Sequence, residues 1–187
     1  PLLVWAPPII GPLIFSLAGL WGVSAAWEET PTDSGRLRLW EDLHLQLPFS
    51  KTRAFLFMVS LGTLATLLSS VLDHGRAQFE NPWLWPPIAV GIFATVVAFG
   101  LALAERPSRG DVLTYLVAML LLLLVGVVGF VLHIRFDLTT QNEIVLERFL
   151  RGAPFLAPLL FANMSMLGLI AVLSPGTVDA GSAPQNV

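Results

Sequence analysis

The chain has 187 residues and a formal net charge of −3, with Lys, Arg, Asp and Glu at 12% and hydrophobic types at 55%. A soluble domain carries about 25% charged residues, so this composition excludes an ordinary cytosolic enzyme and a disordered chain. A net-acidic chain with 10 basic residues is not a nucleic-acid binder, and the absence of Cys removes disulfides, thiolate metal sites, iron–sulfur clusters and cysteine catalysis together.

A mean hydropathy of +0.76 then points to an all-α, polytopic integral membrane protein in the lipid bilayer. The charges fall in clusters and leave five charge-free runs: Pro1 to Trp27, Ala54 to Leu72, Asn81 to Ala104, Val112 to Leu132 and Gly152 to Val178. A bilayer core needs about 20 helical residues, and each run meets that length. Uninterrupted apolar stretches such as Leu120 to Val125 lack the alternation of a barrel strand. The expected domain is therefore a single five-helix unit over 1–174, with spans near 2–27, 54–72, 83–104, 112–132 and 152–174. A Gly, Ser, Pro and Ala-rich tail over 175–187 follows it and is expected to be flexible.

In chain order, the first run lacks a basic leader and reads as a retained span rather than a signal peptide. Its Pro7, Pro8 and Pro12 sit near the start, where a helix tolerates proline best. The first loop places Leu37, Trp40, Leu43 and Leu47 at helical spacing among Arg36, Arg38, Glu41 and Asp42. That pattern predicts a short interfacial helix. Trp40 and its neighbours also suit a contact patch for a partner. Ser108 to Asp111 has the spacing of a capping box that opens span four. Thr140 to Glu143 is a second such box, opening a short interfacial helix through about Leu150. Trp5, Trp21, Trp27, Trp83 and Trp85 all fall near span ends, as interfacial aromatics do.

With five spans the termini lie on opposite faces. Arg36, Arg38, Lys51, Arg53, Arg106 and Arg109 share the face of the tail, against Arg76, Arg135, Arg148 and Arg151 on the other. The positive-inside rule then expects an outside N-terminus and a cytoplasmic C-terminus, in a membrane of the bacterial inner type.

No Asp, Glu, Lys or Arg falls near the middle of a span, which argues against a self-sufficient ion-coupled transporter or proton channel. Chemistry is confined to the edges. His74 follows span two and His133 ends span four, on the same side of the membrane as Asp73, Glu80, Asp137, Glu143 and Glu147. Two imidazoles from two helices suit haem iron or a chlorophyll-type magnesium, or a divalent metal with nearby carboxylates. Gly126, Gly129 and His133 share one face of span four, and Gly62, Thr66, Ser70 and His74 one face of span two. Either stripe admits a close helix neighbour or a flat ring. His44, in the polar loop, reads as solvated.

Ala94, Ala98 and Ala102 form a small-residue ridge on span three, expected to meet another subunit laterally. Asn163, midway along span five, is expected to hydrogen-bond across to a neighbouring helix. The pattern of a nucleophile elbow, a zinc-protease helix or a nucleotide loop is missing from the sequence. The leading expectation is a non-catalytic, accessory subunit of a larger membrane complex with other membrane proteins, such as an electron-transfer or photosynthetic assembly. The alternatives are a haem- or pigment-binding redox protein using His74 and His133, and a membrane metalloenzyme using the same pair with carboxylates.

Overall fold

A computed structural model of the chain describes residues 10–75, 78–139 and 155–173. Five α-helices carry the fold: α1 (Ile10–Ala25), α2 (Lys51–Gly75), α3 (Trp85–Leu103), α4 (Arg109–Thr139) and α5 (Leu159–Leu173). Three segments, Lys51–Gly75, Pro82–Leu103 and Arg109–Leu138, are long and apolar enough to cross a membrane, and they point to a membrane protein. The predicted helix of 140–150 and the tail over 175–187 lie outside the described residues.

Helices α2, α3, α4 and α5 form a four-cornered bundle. Helix α3 packs between α2 and α4 on one side and α5 packs between the same two on the other. Helices α2 and α4 therefore stand on opposite corners. Helix α1 lies outside this ring against α2, fixed by Trp21 stacked on Phe55 with ring centroids 4.5 Å apart. Trp21 is thus a core residue and not the interfacial aromatic its position predicts; Trp83 and Trp85, exposed at the start of α3, do fit that role.

Small residues line much of the interior beside Tyr115, Met119, Leu122 and Met164. The interior contains Ala94, Ala98, Ala102 and Ala118 with Ser60, Thr63, Thr66 and Ser165, all buried. The outer faces carry large apolar residues at helical spacing: Leu61, Leu64, Leu68 and Leu72 on α2, Ile92, Val96, Phe99 and Leu103 on α3, and Leu113, Val117, Leu120 and Leu124 on α4. A soluble bundle would reverse this arrangement, because exposed leucine ridges cost free energy in water. In lipid, tails satisfy the large side chains, and close packing of small ones holds helices together.

The alanine ridge of α3 is accordingly internal. Ala94, Ala98 and Ala102 are inaccessible within the chain's own core, which corrects the expectation of a lateral contact with another subunit. The physical reason is that α3 needs a narrow face to approach α2 closely. Ser60 Oγ donates to the Thr95 carbonyl at 3.1 Å across that seam, and Leu67 of α2 fits against Gly91.

The first loop is a three-stranded antiparallel sheet and not a helix. Its strands are β1 (Glu28–Glu29), β2 (Arg36–Arg38) and β3 (His44–Gln46), in the order β1-β2-β3. Leu37 pairs with Leu45, and Arg38 with His44. The helical spacing of Leu37, Trp40 and Leu43 arises because strand alternation sends Leu37 inward while Trp40 and Leu43 fall in the hairpin turn. Gly35 is required where it stands. Its φ is +72°, and a side chain there would meet the Leu47 and Phe49 carbonyl oxygens at 2.7 and 2.6 Å.

Candidate functional site

The two ends of the bundle carry its polar chemistry. At the sheet end, the charges serve the architecture. Lys51 opens α2, and its Nζ donates to the Ala25 carbonyl at 2.9 Å and the Trp27 carbonyl at 2.5 Å, closing the C-terminus of α1. Glu29 accepts from the backbone N–H groups of Gly35 at 2.7 Å and Lys51 at 3.0 Å, which ties the sheet to the start of α2. Arg53 Nε donates to the Ala102 carbonyl at 2.7 Å and its guanidinium also reaches the Leu103 carbonyl at 3.1 Å. A cation at a helix C-terminus satisfies carbonyls that lack an intrahelical donor. The predicted box at Ser108 and Asp111 is formed in both directions, at 2.7 and 3.2 Å.

The sheet held by these contacts presents a hairpin tip. Leu37 is 2% exposed and anchors it, whereas Trp40 is 76% exposed and Leu43 60%. Leu45 is exposed as well. A shallow cleft lined by Ala26, Glu28, Arg38, Leu39, Trp40 and Glu41 runs beside the tip, with an ion pair between Arg38 and Glu28 in its wall. His44 sits on β3, exposed, as its polar surroundings predict.

At the opposite end, α2 finishes with His74 and α4 carries His133. Their rings lie 6.4 Å apart between centroids, at 65° to each other. Two helices on opposite corners of the bundle thus bring the two predicted imidazoles together. Ser70 Oγ lies 3.3 Å from His74 Nδ1, one turn back on the same face. His133 Nδ1 is buried and has no hydrogen-bond partner among the described residues. Asp73 adjoins His74, and Asp137 lies buried one turn beyond His133. Among the described residues, no group of three or more His, Cys, Asp or Glu is arranged to hold a metal ion.

The glycine stripes leading to these histidines are filled by neighbouring helices. A side chain at Gly126 would meet the Ala162 nitrogen at 2.6 Å and the Pro158 carbonyl oxygen at 2.9 Å. Gly129 faces the Pro158 ring, and Gly62 faces Met164 and Leu17. Thr66 Oγ1 donates to the Gly62 carbonyl of its own helix at 2.9 Å. The room along both stripes is therefore taken by α5 and α1 rather than left for a flat ring.

Asn163 is exposed on α5 and makes no hydrogen bond to a neighbouring helix among the described residues, contrary to the expected clamp. Helical phase explains this, because Phe161, Ala162, Met164, Ser165 and Gly168 form the buried face of α5. The clamp is Ser165, whose Oγ donates to the Met119 carbonyl at 2.6 Å. Neither Ser165 nor Arg53 stands out by sequence: one is an ordinary small residue in an apolar run, the other an ordinary boundary cation.

No protein-family model matches the chain, and no curated protein and no solved structure matches it.

Proposed function

We propose that the chain is a non-catalytic subunit of a larger membrane assembly, with all five helices crossing the bilayer and the three-stranded sheet acting as its docking head. The observation that carries this reading is the hairpin tip. Trp40 and Leu43 stand exposed on a sheet whose base is fixed to α1 and α2 through Glu29 and Lys51. Exposed tryptophan on a rigid support, beside a cleft with a polar wall, has the composition of a protein–protein anchor. Rigid tethering also lowers the entropy lost on binding.

The partner is another subunit of the same membrane. The sheet follows directly on spanning helices, so its partner meets it at the membrane surface. Helices α1 and α5 are described over 16 and 15 residues, roughly 23 Å of the ~30 Å hydrocarbon core. Their antiparallel packing against spanning neighbours supports crossing. The excess of Arg and Lys around the sheet and the 105–111 turn supports a cytoplasmic sheet and C-terminus and an outside N-terminus, in a bacterial inner membrane.

The test is photo-crosslinking from a benzoylphenylalanine placed at position 40, in native membranes. Discrete protein adducts that vanish when the probe is moved to exposed Thr52 support the docking head. Adducts to lipid alone would show that the tip is an interfacial anchor and overturn the reading.

A further inference from the structure

We propose that the centre of the bundle holds one internal water molecule, bound by Tyr115 of α4, Thr63 of α2 and Ser165 of α5. The site uses none of the hairpin residues and stands independently of the docking head.

The first argument is burial without a partner. Tyr115 and Thr63 are both 0% exposed, and neither the Tyr115 hydroxyl nor Thr63 Oγ1 has a hydrogen-bond partner among the described residues. A hydroxyl shut away without a partner costs free energy, and in a bundle surrounded by lipid no bulk solvent relieves that cost. The chain contains 12 Phe and a single Tyr, and that Tyr lies in the interior. Phe would fill the same space without a polar atom, so the hydroxyl is what Tyr115 adds at this position.

The second argument is the hydroxyl of Thr63. Thr66, Thr95 and Thr114 each donate to the carbonyl four residues back on their own helix. The equivalent acceptor for Thr63 is the Val59 carbonyl, and that bond is not formed. The Thr63 hydroxyl is left for the bundle interior. Tyr115 has no such local choice, because its ring carries the hydroxyl away from its own backbone.

The third argument is convergence. A side chain at Gly168 of α5 would meet the Tyr115 hydroxyl at 2.5 Å, Met119 Sδ at 2.6 Å and Val59 Cγ1 at 3.3 Å. Tyr115 therefore reaches across the bundle to the level of Val59 and Gly168. One turn further towards the histidine end, the same three helices present Thr63, Met119 and Ser165, all 0% exposed. Ser165 Oγ spends its proton on the Met119 carbonyl and keeps its capacity to accept. A water at this level accepts from the Tyr115 and Thr63 hydroxyls and donates to Ser165 Oγ. Three bonds is the usual complement of a buried water. The set closes only when α2, α4 and α5 are rotated to bring all three hydroxyls inward, so the water selects a rotation that lipid contacts leave open.

The experiment joins a crystal structure of the full chain from a lipidic phase, at a resolution that shows ordered water, to thermal unfolding of the full chain in nanodiscs. One water within hydrogen-bond distance of Tyr115 Oη, Thr63 Oγ1 and Ser165 Oγ is expected. Tyr115→Phe and Thr63→Val nearly preserve side-chain volume, and each should lower Tm by about 2–4 °C. The double variant should lose less than the sum of the two, because both singles disturb the same water. A Tyr115→Phe or Thr63→Val variant as stable as the parent, or more so, would overturn the site. So would a Tyr115 hydroxyl bonded directly to a protein atom with no water between them.

Discussion

The two ends of the bundle use similar residues for opposite purposes. At the sheet end, Lys51, Arg53, Glu29 and Asp111 spend their hydrogen bonds on backbone groups of helix ends and turns. At the other end, His74 and His133 face each other, Ser70 lies beside His74, and His133 Nδ1 has no hydrogen-bond partner among the described residues. Lys51 and Arg53 aim donors at helix-end carbonyls, and Glu29 and Asp111 accept from backbone N–H groups, so these charges serve the fold. The difference separates residues that build the membrane domain from residues that remain available to it.

The largest expected effect tests whether helix packing below the histidines holds their end together. Gly126→Leu must push α5 away from α4, since backbone atoms of Pro158 and Ala162 block the space. It should cost about 3 kcal/mol by thermal unfolding in detergent. If stability is unchanged, α5 does not pack on α4 as described.

Arg53→Ala should cost about 2 kcal/mol, because two C-terminal carbonyls of α3 lose a charged donor. Arg53→Lys should recover part of this and not all, since one ammonium cannot reproduce the guanidinium fork. This loss should add to that of Gly126→Leu within about 0.5 kcal/mol, because the sheet end and the histidine end are far apart along the bundle. A coupling above about 1 kcal/mol between the two substitutions would break the comparison. Ser165→Ala, in the middle of the bundle, should cost about 1 kcal/mol by removing the bond to the Met119 carbonyl. The smallest effect is expected for Asn163→Leu, which should change unfolding by less than about 0.5 kcal/mol because the amide is exposed on α5. A larger destabilisation would show that the amide has a helix partner beyond the described residues.

Much of the architecture was legible before any coordinates. Charge clusters bounded the three long helices to within three residues at every end but one, the C-terminus of α4, which runs on from Leu132 to Thr139. The helices overrun the charge-free runs, α2 by starting at Lys51 and α4 by reaching Thr139, because a helix can continue into the headgroup region where charges are tolerated. The capping box at Ser108 was readable because both of its partners are local in sequence. His74 and His133 were singled out because titratable groups are rare in this chain. The sheet was misread because i, i+3 spacing over a dozen residues is shared by a helix and by a strand followed by a tight turn, and only the pairing with Glu28 and Glu29 separates them.

By itself, the sequence determined that this is a helical membrane protein, where its long helices run, and which few residues carry titratable side chains. Those properties follow from composition and from local spacing, which need no neighbour. Tertiary structure decided which small-residue face is interior, that Ser165 and not Asn163 joins two helices, and that the two histidines meet. Each of these depends on how one helix is rotated against another. Apolar runs with nearly uniform sides carry no record of that rotation, because lipid satisfies every outward face equally well.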